Sequence, residues 1–139
     1  MPDELSIIWP IEFVVIGVAV SFQASSRGKD AWKKLVSEAC REQISPSVFR
    51  PTIPLSVVIY HFPDGKMGDI DNTVKPILDA MEGIAYHDDN VVERLTAQKF
   101  EPGHLAKWAK PSTTLFKAIS GQKPITYVMI SPRPHEEIV

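Results

Sequence analysis

Residues 68–99 read "GDIDNTVKPILDAMEGIAYHDDNVVERLTAQK". Val74, Ile77, Leu78, Met81 and Ile84 or Ala85 recur at the i, i+3, i+4, i+7 spacing of one helical face. From residue 90 the period changes to two. Val92, Arg94, Thr96 and Gln98 alternate with Val91, Glu93, Leu95 and Ala97, which predicts a strand over 90–100. Pro76 limits where the helix begins, because an interior proline removes a hydrogen bond and clashes with the preceding turn. With Thr73 as N-cap, Pro76 falls at the third helical position, where no bond is lost, and residues 69–72 form an extended approach.

Working outward, "PLSVVIYHF" (54–62) is an apolar, β-branched run that predicts a strand, closed by the turn signal Pro63-Asp64-Gly65. Before it, "DAWKKLVSEACREQI" (30–44) has a helical apolar stripe, with Asp30 as the expected N-cap and Pro46 as the stop. A polar loop (23–30) separates that helix from a first, buried strand over 12–22. Downstream, "PITYVMISP" (124–132) is a fourth strand, and the lysine-rich segment 101–123 is poorly periodic. The order β-α-β-α-β-β predicts an α+β fold: a mixed β-sheet with packed helices. With no internal repeat and no linker, residues 1–139 are expected to form a single domain.

Composition places the chain among ordinary globular proteins, 44% apolar and 23% charged. One cysteine, Cys40, cannot form an internal disulfide, so a reducing, cytoplasmic setting is expected. The start "MPDEL" is acidic, unlike a secretory signal, and the apolar run 13–20 is too short to span a bilayer. Net charge is −2, but the distribution is uneven. Residues 64–101 hold nine acids against four bases, 27–50 hold six bases against three acids, and 102–135 hold no acid. Basic flanks around an acidic centre suit a metal-dependent enzyme acting on a polyanion.

On an extended chain Asp69 and Asp71 point the same way, and Asp88 or Asp89 can supply a third carboxylate after the helix. Hard oxygen donors of this kind suit Mg²⁺ or Mn²⁺. Lys75, four residues after Asp71, is placed to stabilise phosphoryl charge beside a helix N-terminus. An EF-hand is excluded, because its glycine and glutamate positions are Val74 and Ala80. A plain acidic turn also accounts for these residues: Asp71 or Asn72 capping the helix, Lys75 pairing with Asp79, and Asp88-Asp89 in a turn. The four histidines show no ligand spacing, and His87 alone stands next to the acids in sequence. Cys40, Trp32 and Trp108 read as packing residues rather than chemistry.

The ordered set in 68–99 resembles the signature of RusA-type Holliday junction resolvases: Asp-x-Asp-Asn, a lysine four residues after the second aspartate, a further aspartate, then an Asp-Asp pair leading into a valine-rich strand. "VSFQASSRGKDAWKK" (20–34) is similar to the family's N-terminal half. The resemblance implies a homodimeric, Mg²⁺-dependent endonuclease that cuts branched DNA, resolving four-way junctions by phosphodiester hydrolysis in recombination and repair. The alternative is a DNA-junction-binding protein of the same fold without catalysis. By motif position, Asp69, Asp71 and Asp89 would be the catalytic, metal-holding carboxylates, Asp88 an auxiliary ligand, Lys75 the essential lysine and Asp79 a supporting acid. Where the family carries an arginine-rich run before the first aspartate, this chain has "GKMG". Arg27, Lys29, Lys66, Lys107 and Lys110 are the expected phosphate contacts.

Overall fold

The computed structural model describes residues 7–19, 25–45, 50–104 and 106–136. In chain order it contains β1 (Ile11–Ile16), α1 (Ser26–Arg41), β2 (Leu55–Phe62), α2 (Asp71–Met81), a 3-10 turn (Asp89–Val91), β3 (Val92–Lys99), α3 (Thr113–Ser120) and β4 (Ile125–Ser131). The strands form one mixed sheet in the order β1-β4-β2-β3. β2 and β3 run parallel, and β4 runs antiparallel to both β1 and β2. The predicted α+β architecture is therefore present, with one addition. α3 lies inside the segment 101–123 that carries no clear period.

The helix starts differ from the sequence reading for local reasons. α1 begins at Ser26 rather than after Asp30, because the Ser25 hydroxyl caps it by accepting from the Gly28 amide at 3.2 Å. It ends at Arg41; the expected stop, Pro46, lies outside the described residues. α3 is capped the same way, Ser112 Oγ accepting from the Leu115 amide at 3.1 Å. β1 stops at Ile16 because Gly17 takes φ +140°, a conformation that side-chain-bearing residues avoid. Part of the predicted continuation, 20–22, lies outside the described residues.

α2 also starts early, at Asp71, and Thr73 is its third residue rather than its cap. Ile70 occupies the cap position in a helical conformation (φ −66°, ψ −37°) without a side-chain cap. The Thr73 amide and hydroxyl both donate to the Ile70 carbonyl, at 3.1 and 2.7 Å. Pro76 thus lies inside the helix, on its buried side, and the Asn72 carbonyl has no amide at i+4 to accept from. Burial of Thr73, Pro76, Ile77, Ala80 and Met81 against the rest of the fold holds this helix despite the missing bond.

α1 and α2 cover one face of the sheet. Ile11, Phe13 and Val15 of β1, Leu55, Val57 and Ile59 of β2, and Val128 and Ile130 of β4 meet Trp32, Val36 and Cys40 of α1 and Ile77 and Met81 of α2. Truncating one such buried residue to alanine removes about 2–5 kcal/mol. Cys40 is wholly buried, as its place on the apolar stripe predicts, and burial pushes its thiol up to about 12. On the opposite face, α3 packs Leu115 and Ala118 over Phe62, Ile125 and Tyr127. Trp108 joins this second cluster beside Tyr60 and Phe100, and Trp32 is buried in the first. Both tryptophans are packing residues.

The β2-α2-β3 unit sets the geography of the acids. Parallel neighbours require a crossover, here α2. The helix therefore starts near the end of β2 and finishes near the start of β3. Asp69 and Asp71 stand at its N-terminal end, while Asp88 and Asp89 follow its C-terminal end.

Candidate active site

The loop before α2 is tied to the sheet. Lys99 Nζ at the end of β3 donates to the carbonyls of Met67 and Gly68, each at 3.3 Å. Glu101 accepts from the Met67 amide at 2.7 Å, a bond that lowers its pKa, helped by Lys99. Asp69 and Asp71 follow this anchored segment, and both are exposed. Because Ile70 between them is helical, the two-residue alternation expected of an extended strand does not apply to them.

Lys75, one turn beyond Asp71 in sequence, pairs with Asp79 of α2 and with Asp89 after it. Its Nζ contacts Asp79 Oδ1 at 2.8 Å and donates to Asp89 Oδ2 at 3.2 Å. These bonds raise the lysine's pKa, Asp79 first and Asp89 second. α1 contributes Lys33, 3.8 Å from Asp79 Oδ2. The Asp89 amide donates to Glu82 Oε1 at 3.2 Å. Asp79, Glu82 and Asp89 each offer a carboxylate oxygen within 4.8 Å of the others, and among the described residues they are the only such group of three. Asp69 and Asp71 are not part of it. Asp88 caps the 3-10 turn, its Oδ1 accepting from the Asn90 amide at 2.9 Å. The Lys75–Asp79 pair and the Asp88 turn are features that a plain acidic turn also predicts.

The donors around α2 are all carboxylates, with two ammonium groups against Asp79, Glu82 and Asp89. An oxygen-only, net acidic set fits a hard divalent cation and does not fit zinc. Asp89 is shared between the predicted set (Asp69, Asp71, Asp89) and the observed group (Asp79, Glu82, Asp89).

Behind this surface lies a buried polar chain. His61, 1% exposed, sits at the end of β2 between Thr126 of β4 and Thr73 of α2. Its Nδ1 is 3.0 Å from Thr126 Oγ1 and its Nε2 is 2.9 Å from Thr73 Oγ1. Burial lowers its pKa to about 4, so the ring is neutral at pH 7. Beside it opens a cleft of about 170 Å³, whose walls include Gly17, His61, Asp64, Lys66, Gly68 and Thr126. Sequence reasoning passed over His61, Lys33, Lys99 and Glu82. Only Glu82 left a trace, three residues after Asp79 at the C-cap of the same helix; the others meet the site through tertiary packing.

The expected phosphate contacts are dispersed. Arg27 and Lys29 lie in the first turn of α1, Arg27 exposed. Lys66 is exposed on the cleft wall beside Gly68. Lys107 is exposed ahead of α3. Lys110 lines a separate cleft with Tyr60, Trp108 and Tyr127, on the sheet face that α3 packs against. Lys123 caps α3, donating to the Ala118 and Ile119 carbonyls.

Residues 21–107, well over half of the chain, match the family model described as endodeoxyribonuclease RusA. The match takes in α1, β2, α2 and β3, and with them every carboxylate of the candidate site. No curated protein matches the chain. Among the described residues no helix is long and apolar enough to cross a membrane.

Proposed function

The chain belongs to the RusA endodeoxyribonuclease family, hydrolases acting on DNA, and from that premise we propose that it resolves four-way DNA junctions by Mg²⁺-dependent phosphodiester hydrolysis. Residues 1–139 act as one catalytic domain, cytoplasmic, in recombination and repair. A homodimer is the working unit, because an isologous pair presents two equivalent sites to the two strands of a two-fold symmetric junction.

Asp69, Asp71 and Asp89 would hold the cation, with Asp88 auxiliary; Mn²⁺ suits the same donors. A cation held there would supply charge neutralisation for the phosphoryl group and an activated water. Lys75 bridges Asp79 and Asp89 and offsets their mutual repulsion, and it would donate to a phosphate oxygen when DNA is present. The first turn of α2 adds free backbone amides near the same anion. Arg27, Lys29, Lys66, Lys107 and Lys110 are the phosphate contacts that orient the DNA.

The observation that carries this reading is Lys75, one helical turn from Asp71 and in contact with Asp89. It supports the reading by setting one cation against two carboxylates, Asp79 of α2 and Asp89 after it. The test is purified protein with Mg²⁺ on a synthetic four-way junction beside linear duplex of the same sequence. Paired cuts in the junction, absent with chelator, are expected. Preference for linear duplex contradicts the junction claim, and salt-sensitive binding without cutting identifies a binding protein instead.

A further inference from the structure

The buried row on the inner sheet face changes chemistry at one end. Leu55, Val57 and Ile59 along β2 are apolar, as are Ile130 and Val128 along β4. The next positions facing α2 are His61 and Thr126, 1% and 2% exposed, and they meet Thr73, 4% exposed. Three buried polar side chains are costly unless each is hydrogen-bonded. Here the bonding is complete and directional. Thr73 Oγ1 donates its only proton to the Ile70 carbonyl at 2.7 Å. It must therefore accept from His61, which puts the ring proton on Nε2. Nδ1 of the neutral ring is then an acceptor, filled by the Thr126 hydroxyl.

This chain of bonds ends on the carbonyl immediately before Asp71. α1 and α3 are fixed by serine caps, Ser25 and Ser112, whereas α2 has no side-chain cap. What fixes its first turn comes from inside the sheet. We propose that His61, oriented by Thr126 and acting through Thr73, is a positioning residue that sets the Ile70–Asp71 turn for phosphodiester hydrolysis. The proposal rests on the reading of Asp69 and Asp71 as reacting residues. Two strands and a helix locate one carbonyl, so the Asp71 carboxylate is presented from a rigid support rather than from a free loop.

The test uses Thr73→Val, which keeps the side-chain shape and deletes the hydroxyl, and Thr73→Ser, which restores it. Val57→Ala serves as a control that loosens the same core without touching the polar chain. Two quantities are read: single-turnover junction cleavage with its Kd, and hydrogen exchange of the amides at 70–73. Thr73→Val is expected to slow cleavage about tenfold or more, as a small misplacement does, with Kd within about twofold because phosphate contacts are untouched. Exchange at 70–73 accelerates. Thr73→Ser returns both readings towards wild type, and Val57→Ala, with an equal or greater loss of melting temperature, keeps the wild-type rate. A wild-type cleavage rate in Thr73→Val, or an equal slowing in Val57→Ala, overturns the proposal. If the wild-type protein does not cut junctions, the functional reading fails by itself. Exchange at 70–73 then still decides whether the turn is held through Thr73: unchanged protection in Thr73→Val overturns the positioning claim.

Discussion

Lys75 Nζ donates to Asp89 Oδ2 at 3.2 Å, across fourteen residues of chain. The same ammonium lies 2.8 Å from Asp79 Oδ1, so one lysine neutralises acids from the helix and from the turn that follows it. Its side chain is half exposed, and pairs of this kind contribute about 0–1 kcal/mol to stability.

Lys75→Met separates the two roles. Cleavage is expected to fall by about 10²–10³-fold, the scale of losing one donor to developing charge, while the melting temperature changes little. With the ammonium gone, Asp79 and Asp89 repel each other, and Mg²⁺ binds more tightly in a calorimetric titration. A variant that cuts at the wild-type rate removes Lys75 from the mechanism.

His61 makes stability depend on pH with a definite sign. Its pKa is about 4 in the folded protein against 6.5 for an ordinary histidine. Between those values the unfolded chain binds the extra proton, so stability is complete above about pH 6.5 and is lost as pH falls towards 4. The full effect is about 3 kcal/mol. Urea melts of wild type and His61→Gln at pH 7 and pH 4.5 isolate it, because the carboxylates titrate in both proteins. The variant should lose less stability on acidification; equal losses would mean that His61 is not held neutral.

Two of the basic residues line different clefts. Lys66 stands beside Gly68 in the cleft next to His61, and Lys110 lines the cleft with Tyr60 and Trp108 on the sheet face that α3 packs against. Lys66→Ala should weaken junction binding and reduce the salt slope by about 0.9, one phosphate contact. Lys110→Ala should weaken it less. Binding titrations at several salt concentrations rank the two, and the reverse order would place the DNA across the α3 face.

Much of the fold was legible because it rests on local periodicity. The alternation of β3 and the apolar stripe of α2 are written in consecutive residues, and so is the ordered motif from Asp69 to Asp89. α3 was not legible, since eight residues with Leu115 and Ala118 as buried anchors give too short a stripe. The start of α2 was misplaced because Thr73 looks like a cap in sequence, while in the fold its hydroxyl donates back to Ile70 and also meets the buried His61, a long-range contact that no local pattern encodes. The Asp79-Glu82-Asp89 grouping depends on how the β2-α2-β3 crossover folds back, which no spacing rule encodes.

The proposed role of the carboxylates at the start of α2 is to drive hydrolysis of a junction phosphodiester. Its most direct test is the single-turnover cleavage rate of a four-way junction in Mg²⁺ for wild type and Asp71→Asn, with junction affinity measured in parallel under chelation. Asp71→Asn keeps the size and helix position of the side chain and removes its charge. Cleavage lowered by at least about 10²-fold at unchanged affinity is expected. Equal cutting by Asp71→Asn would contradict it.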